Sequence, residues 1–256
     1  MTDTMARRDS RPANKLRFMQ PQEFEDEAAQ LLAEYGYKHG MVTAPPVPVD
    51  EIVELYLELS LEFLDMQAEF GVDDIHGALW VNEHRVGIDV RLDPTVNEAM
   101  LGRYRFTLAH EAGHWRLHRQ LFLRKANQPT LVPDAAPRPE YICRSSDSEP
   151  IEVQANMFAS CLLMPKEMVK REWHAWRGSM DPIYLSDLRA RQQQILISEI
   201  ACRGSLAMGD EGITAVLYEH AIRPFAEKFE VSTQAMRYRL LNLKLLQPKK
   251  DSTLFT

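Results

Sequence analysis

The sequence contains little of what marks several large classes of protein. Only three cysteines occur among 256 residues, and the scattered positions of Cys143, Cys161 and Cys202 do not form a disulfide framework. We therefore expect a reducing environment, which favours a cytoplasmic location. No apolar run reaches the length of about 18 residues that a transmembrane helix requires. Residues 1–18 are polar and rich in arginine, so we expect no secretory signal there.

An excess of basic charge is also missing. The chain has 30 Lys and Arg residues against 37 Asp and Glu residues, a net charge of −7. This balance excludes a protein that coats nucleic acid over its whole surface. Apolar residues make up 45% of the chain and charged residues 26%, which excludes disorder over the whole length. The length allows one large domain or two modest ones.

Apolar spacing predicts a mainly helical chain with a small sheet. Helical spacing predicts helices over residues 23–35, 51–59, 103–123, 151–163, 167–176 and 222–246, the last broken at Val231-Ser232. Short apolar segments predict strands over residues 61–63, 77–81 and 85–90. Residues 124–150 contain five prolines and are predicted to form a long loop. This pattern is typical of an α+β fold.

One helical segment carries a metal-binding motif. His110-Glu111-Ala112-Gly113-His114 has the spacing His-Glu-x-x-His. Residues four apart lie on one face of a helix, so His110 and His114 can present two imidazole nitrogens to one ion. Glu111 can act as general base on a water at that ion. The alternative is a pair of histidines with a structural role. Gly113 lowers helix stability relative to alanine, which indicates close approach of another backbone or of substrate.

A third ligand is expected, because a catalytic zinc site uses three protein ligands and keeps one position open. Glu152 is the best candidate, since Pro150 suits the first turn of a helix. Asn156 then lies one turn later on the same face and can accept a hydrogen bond from the second ring nitrogen of a ligating histidine. The alternative for Glu152 is a carboxylate on a helix surface.

Two other residues are weaker candidate ligands. His118 lies eight residues after His110, too far along a regular helix to share the ion, and is expected to be structural. Glu149 precedes the proline and is expected to help start the helix. Leu117 and Gln120 stand where the extended metzincin motif requires Gly and His, which excludes that class.

The motif and the expected carboxylate together predict peptide-bond hydrolysis with one Zn²⁺ per chain. Zinc lowers the pKa of a water at its open position towards about 7, and Glu111 passes the proton to the leaving amine. A further donor should stabilise the oxyanion of the transition state. The candidates, each of which also has a structural alternative, are Tyr104, Arg105, Tyr141, His174 and Tyr184.

Several segments of the chain resemble the ImmA/IrrE metallo-endopeptidases. The matching segments are Pro46–Asp50, Arg105–Trp115, Leu117-His118, Glu152–Pro165, Phe229–Ser232 and Ala235–Leu240. The resemblance implies a gluzincin-like zinc peptidase with His110, His114 and Glu152 as ligands and Glu111 as catalytic acid and base. It also implies a helix-turn-helix repressor as substrate, in stress response or mobile-element control. Many relatives carry an acid where this chain has Gln154, which we expect to face away from the metal.

The C-terminal region differs in charge from the rest of the chain. Residues 223–250 contain seven basic and two acidic residues, a net charge of +5. The helices predicted over residues 222–246 are similar to a helix-turn-helix. Gln234, Arg237 and Arg239 are then expected on an exposed face that can contact DNA. The alternatives are a helical hairpin packed on the peptidase and a surface that docks a repressor.

The predicted organisation has four parts. A flexible basic tail (1–20) precedes a zinc metallopeptidase domain (21–180), a C-terminal helical region (181–247) and a short tail (248–256). The leading hypothesis is a cytoplasmic zinc endopeptidase that cleaves a regulatory protein, with weak DNA contact through the C-terminal region and no membrane contact. The alternative is a DNA- or repressor-binding transcriptional regulator with a structural or sensory metal site.

Overall fold

The structure is a computed structural model that describes residues 16–126, 139, 141–144, 149–184, 187–188 and 210–247. Most of the predicted basic tail, the tail at 248–256, Cys202 and much of the predicted loop over 124–150 lie outside the described residues. The helices are α1 (Pro21–His39), α2 (Val49–Glu51), α3 (Met66–Phe70), α4 (Leu101–Gly113), α5 (Arg119–Ala126), α6 (Pro150–Leu163), α7 (Lys166–Arg177), α8 (Asp210–Phe229) and α9 (Thr233–Asn242). The strands are β1 (Ser60–Leu64), β2 (Ile75–Trp80), β3 (Arg85–Asp89), β4 (Tyr141–Arg144), β5 (Ile183–Tyr184) and β6 (Leu246–Gln247). Helices with a small sheet confirm the α+β class.

Helix α1 begins with a reciprocal pair of caps. The side chain of Gln20 bonds to the backbone of the first turn, and Glu23 accepts from the backbone N–H of Gln20 at 2.7 Å. Pro21 stands at the start of the helix, where a missing N–H costs nothing. The buried side chains lie three and four residues apart and are Phe24, Ala28, Leu31 and Tyr35. They form the face through which α1 packs against α6.

The four-stranded sheet has the order β1-β3-β2-β4. Strands β1 and β3 are parallel, whereas β2 pairs antiparallel with both β3 and β4. The three strands predicted over 61–63, 77–81 and 85–90 are confirmed as β1, β2 and β3. Strand β4 was not predicted, because its residues lie in the proline-rich segment and become a strand by pairing with the distant β2. The sheet packs against α4 through β2 and β3.

Helices α4 and α6 pack closely against each other. Small and large apolar side chains alternate on the shared face, which contains Leu108, Ala109, Ala112, Ala155, Phe158 and Ala159. A Cβ on Gly113 would lie 3.3 Å from Cα of Ala155 and 3.1 Å from Cδ1 of Phe158. The predicted close approach of another backbone at Gly113 is therefore confirmed. It brings the side chains of α4 and α6 within reach of each other.

The C-terminal helices bury apolar side chains in the same cluster as α1, α4 and α6. Strands β5 and β6 pair in parallel, with Ile183 opposite Leu246. The predicted break at Val231-Ser232 is confirmed, but α8 begins at Asp210 instead of residue 222. Its Pro224 lowers helix propensity, and tertiary packing overrides that preference.

None of the described helices combines the length and apolar character that crossing a membrane requires. The division of the chain at residue 180 stays a prediction.

Candidate metal centre

Helix α4 carries both histidines of the motif into the interior. His110 and His114 are one turn apart, so their rings lie on one face with centroids 4.6 Å apart. Both rings are buried, with 2% of His110 and 0% of His114 exposed. Their Nε2 atoms lie 2.9 Å apart. The motif thus forms a pair of converging ring nitrogens.

Helix α6 brings a carboxylate to the same point. Pro150 stands at the start of the helix, and the backbone carbonyl of Glu149 accepts from the N–H of Glu152 at 2.9 Å. Glu149 therefore helps to start the helix, as expected. Glu152 is buried, and its oxygens lie 3.2 Å from Nε2 of His110 and 3.2 Å from Nε2 of His114.

Asn156 lies one turn after Glu152 and orients the ring of His110. Its Oδ1 is 2.9 Å from Nδ1 of His110. An amide oxygen can only accept, so Nδ1 carries the proton and donates it. Nε2 of His110 is then the nitrogen that faces His114 and Glu152.

A chain of three hydrogen bonds orients His114. The amide nitrogen of Gln154 donates to the backbone carbonyl of Arg17 at 2.6 Å, which leaves its Oε1 to accept from Nε2 of His118 at 3.0 Å. Nδ1 of His118 therefore accepts from Nδ1 of His114, also at 3.0 Å. Nε2 of His114 is the unprotonated nitrogen.

This chain of hydrogen bonds does not follow from the spacing of residues in the sequence. Gln154 was expected to face away from the site, but it is buried and linked to His114 through His118. The helix widens into a π-helical turn over His114–His118, a departure from regular geometry that is frequent at functional sites. Local spacing cannot reveal the arrangement, because it joins α6 to a backbone group that precedes α1 in the chain.

Three potential ligand groups therefore face one point. The two Nε2 atoms and the carboxylate of Glu152 favour a positive charge among them, either a proton on His110 or a metal cation. Atoms separated by 2.9 to 3.2 Å can all lie about 2.0–2.1 Å from one ion, as zinc ligands do. Oε1 of Glu152 is buried without a hydrogen-bond partner among the described residues. Two imidazoles and a carboxylate suit Zn²⁺, so these residues fit the ion.

The pKa values of the buried groups reflect the short distances between His110, His114 and Glu152. Burial lowers the pKa of His114 to about 3, so the ring is neutral. Burial raises the pKa of Glu152, but the two histidines, whose Nε2 atoms lie 3.2 Å from its oxygens, outweigh this and lower it to about 2. Burial lowers the pKa of His110, yet the nearby Cys143, Glu152 and Glu111 raise it well above its ordinary value. Surroundings that attract a proton to His110 also attract a metal cation.

Glu111 lies beside these groups without a hydrogen bond of its own. It is 0% exposed, and neither carboxylate oxygen has a partner among the described residues. Burial raises its pKa to about 8, an effect that His110 opposes and Glu152 reinforces. A carboxylate in this state can take up and release a proton near neutral pH.

Strand β4 brings two further residues to the site. His110, Cys143 and Glu152 each offer a ligand atom, and these three atoms lie within 4.8 Å of one another. The ring of Tyr141, a candidate oxyanion donor, lies over His114 with centroids 3.9 Å apart. In the sequence Cys143 is an isolated cysteine, and only the pairing of β4 with β2 brings it to the candidate metal site.

The other candidate oxyanion donors are engaged or lie in other elements. Arg105 is buried and donates to a backbone carbonyl just before α2 at 2.6 Å. Tyr104 donates to Asp50. His174 is exposed on α7, and Tyr184 belongs to β5. These contacts support structural roles for Arg105 and Tyr104.

The prediction that Arg239 is exposed is wrong. Its side chain is 3% exposed and pairs with Glu25 of α1, with Nη1 2.6 Å from Oε1. Nε donates to the backbone carbonyl of Met164 at 2.8 Å. Met236 and Leu240 are three residues before and one residue after Arg239, so all three lie on the buried face of α9.

Two polar residues of α9 keep access to solvent. Gln234 is exposed, and Arg237 is half-buried. The guanidinium carbon of Arg237 lies 4.5 Å from the ring centroid of Tyr218. Contact of Gln234 and Arg237 with DNA stays a prediction.

Comparison with protein families finds one match. A family model described as Peptidase M78, IrrE N-terminal-like domain, matches residues 95–241. This range covers more than half of the chain and includes α4 and α6 in full. A comparison with curated proteins finds no match. The chain therefore belongs to the Peptidase M78 family of ImmA/IrrE metallopeptidases.

Proposed function

We propose that the protein is a zinc-dependent endopeptidase. His110, His114 and Glu152 hold one Zn²⁺, and Glu111 is the catalytic acid and base. The observation that carries the proposal is the convergence of two ring nitrogens and one carboxylate within 2.9 to 3.2 Å. Membership of a peptidase family supports the same reaction class.

The catalytic chemistry follows from the state of Glu111. Bound zinc supplies a Lewis acid that polarises the scissile carbonyl and activates water for attack. The carboxylate of Glu111 takes the proton of the attacking water and returns it to the leaving amine. Because its oxygens have no partners among the described residues, no existing hydrogen bond has to break first.

The neighbouring polar residues hold the rings of His110 and His114 in the orientation that metal binding requires. Asn156 holds the proton of His110 on Nδ1, and the chain through Gln154 and His118 does the same for His114. Both rings then present Nε2 without a conformational search or a change of tautomer. Asn156 is in this view a positioning residue.

The substrate we propose is a regulatory protein, a helix-turn-helix repressor whose cleavage serves a stress response or the control of a mobile element in the cytoplasm. The support is the resemblance to the ImmA/IrrE enzymes and the family match. We assign catalysis to the domain at residues 21–180. The C-terminal region at 181–247, which is helix-turn-helix-like over 222–246, contributes to substrate binding.

Two variants test the metal site and the general base separately. We expect Glu111→Gln to bind zinc and lose cleavage, because the ligands remain and the base is gone. We expect Glu152→Ala to lose zinc. Metal content is measured by elemental analysis, and cleavage by incubation with any helix-turn-helix repressor that is encoded beside this protein. Equal cleavage by Glu111→Gln and the wild type would contradict the mechanism, and full zinc content in Glu152→Ala would contradict the ligand set.

A transcriptional regulator with a structural or sensory metal site is the second candidate. The exposed Gln234 and the partly accessible Arg237 on α9 favour it. DNA binding that weakens with salt and is lost in the double variant Gln234→Ala/Arg237→Ala would support a regulator. No binding at low salt would exclude DNA contact through this helix.

A further inference from the structure

We propose that Cys143 is a fourth protein ligand of the metal, through which strand β4 holds the peptidase in a closed resting state. This inference rests on the proposed function, because it concerns the same metal site. The displacing agent is an extended polypeptide segment that competes with β4.

The position of the sulfur is the first support. The ligand atoms of His110, Cys143 and Glu152 lie within 4.8 Å of one another. Cys143 is half-buried and forms no disulfide. A cysteine sulfur binds zinc readily, and with His114 the set reaches the four ligands of a tetrahedral site. Catalytic zinc needs one open position, so a site that takes all four ligands from the protein is closed.

The second support is the direction of the side chains along β4. Residues two apart lie on the same face of a strand, so Tyr141 and Cys143 face α4 together. The ring of Tyr141 covers His114, with centroids 3.9 Å apart. Ile142 lies on the opposite face and packs with the separate apolar cluster around Trp80. The alternation of β4 therefore directs one ring and one sulfur at the metal site.

The third support is the place of β4 in the sheet. Cys143 is paired with Gly77 of β2, the residue against which the Glu111 carboxylate lies. Peptides commonly bind proteins by adding a strand to an exposed sheet edge. In the described sheet β4 already occupies that edge of β2. A substrate strand that pairs with β2 must displace β4, and the same movement withdraws Cys143.

The strand is suited to displacement. It has four residues and lies at the end of the sheet. Its pairing with β2 is irregular between Ile75 and Gly77, and such a bulge interrupts the ladder of hydrogen bonds. Opening breaks these main-chain bonds, the packing of Tyr141 and Ile142 and the bond from sulfur to metal. The released thiolate would take up a proton from solvent, so no covalent bond within the chain has to break.

The first experiment tests directly whether the sulfur of Cys143 binds the metal. Co²⁺ replaces zinc in the full chain, and a cysteine thiolate bound to Co²⁺ gives intense charge-transfer absorption in the near ultraviolet that imidazole and carboxylate do not give. We expect this absorption in the wild type and its loss in Cys143→Ala. Cys161→Ala is the matched control, since Cys161 is buried next to Arg239, nine residues along α6 from Glu152. Its spectrum should equal that of the wild type. A wild-type spectrum without the thiolate band overturns the inference.

The second experiment tests whether Cys143 keeps the peptidase closed, by comparing cleavage rates. Zinc-loaded wild type, Cys143→Ala and Cys161→Ala are incubated with fluorescently labelled casein, an unfolded polypeptide. If the open form is about a tenth of the wild-type molecules, kcat/KM of Cys143→Ala rises about tenfold. The Cys161→Ala value should stay at the wild-type level. Equal rates for Cys143→Ala and the wild type overturn the closed state.

The two experiments separate this inference from the proposed function. A thiolate band that depends on Cys143, together with no cleavage by any zinc-loaded variant, would support the fourth ligand and overturn the peptidase. Cleavage that depends on Glu111, at one rate with or without Cys143 and with no thiolate band, would support the peptidase and overturn the inference.

Discussion

Gly77 of β2 lies directly against the carboxylate of Glu111 in α4. A Cβ on Gly77 would lie 3.1 Å from Cδ of Glu111 and 3.1 Å from Cγ2 of Thr107, and still closer to Oε1 of Glu111. The sheet can therefore approach the catalytic helix only because position 77 has no side chain. Strand β2 defines the place of the proposed base although it contributes no ligand.

The variant Gly77→Ala should lose peptidase activity and keep zinc. Its added methyl group displaces the Glu111 carboxylate, and a misplacement of about 1 Å can lower the rate about 100-fold. The ligands come from α4 and α6, so metal content should equal that of the wild type. Gly36→Ala is the control, because its Cβ meets the flexible side-chain end of Met41 at 3.0 Å. Wild-type kcat/KM in Gly77→Ala would contradict the contact.

Asn156→Ala should weaken metal binding, since Nδ1 of His110 loses its acceptor. Loss of such a partner typically lowers metal affinity about 10- to 100-fold. Asn156→Asp keeps an acceptor oxygen and should bind zinc more tightly than Asn156→Ala. Titration against a chelating dye measures both affinities. Identical zinc affinities for the two variants would show that the bond at 2.9 Å does not orient the ring.

Arg239→Ala should destabilise the protein far more than Arg237→Ala. Removal of Arg239 leaves the charge of Glu25 without its buried partner, which costs about 3–5 kcal/mol in the free energy of unfolding. Arg237 is half-buried and loses mainly its contact with Tyr218, worth about 0.5–1 kcal/mol. Urea unfolding followed by circular dichroism gives both values. Equal losses would mean that Arg239 does not hold α9 to α1.

In the metal-free protein, the contribution of Glu111 to stability should fall as the pH rises from about 5 to about 8. Folding raises the pKa of Glu111 from 4.5 to about 8, so in this window the folded state holds a proton on Glu111 that the unfolded state has lost. This contribution to the free energy of unfolding decreases with pH by at most about 1.4 kcal/mol per unit. Glu111→Gln cannot titrate and should lack this slope. Urea unfolding in the presence of a chelator measures the difference, and parallel pH profiles for the two proteins would contradict it.

The proposed ligands could be predicted from local spacing because a helix repeats. The distance of four residues from His110 to His114, and again from Glu152 to Asn156, places each pair on one helix face in any helical structure. Gly113 indicated the close approach of another backbone or of substrate for the same local reason, since a missing Cβ is visible in the sequence, and the structure shows that the backbone is that of α6. These features depend on neighbours within one turn.

Other parts of the site depend on contacts between distant segments. Gln154 is linked to His114 through His118. The orientation of its amide depends on the hydrogen bond that the amide nitrogen donates to the backbone carbonyl of Arg17. Arg239 carries the same charge as the half-buried Arg237, and the orientation of α9 against α1 decides that Arg239 is buried. Residue type does not reveal such an orientation, because either solvent or a buried carboxylate can accept the hydrogen bonds of a guanidinium and balance its charge.

The sequence alone determined that two imidazoles and a carboxylate lie on helix faces and that a glutamate stands beside the first of them, since helical periodicity is a local property. The tertiary structure decided that these faces meet and that Gly77 positions Glu111. It also decided that Cys143 lies at the same point. Long-range strand pairing is the physical reason, because the hydrogen bonds that hold β4 against β2 are chosen by the fold and leave no periodic pattern in four residues.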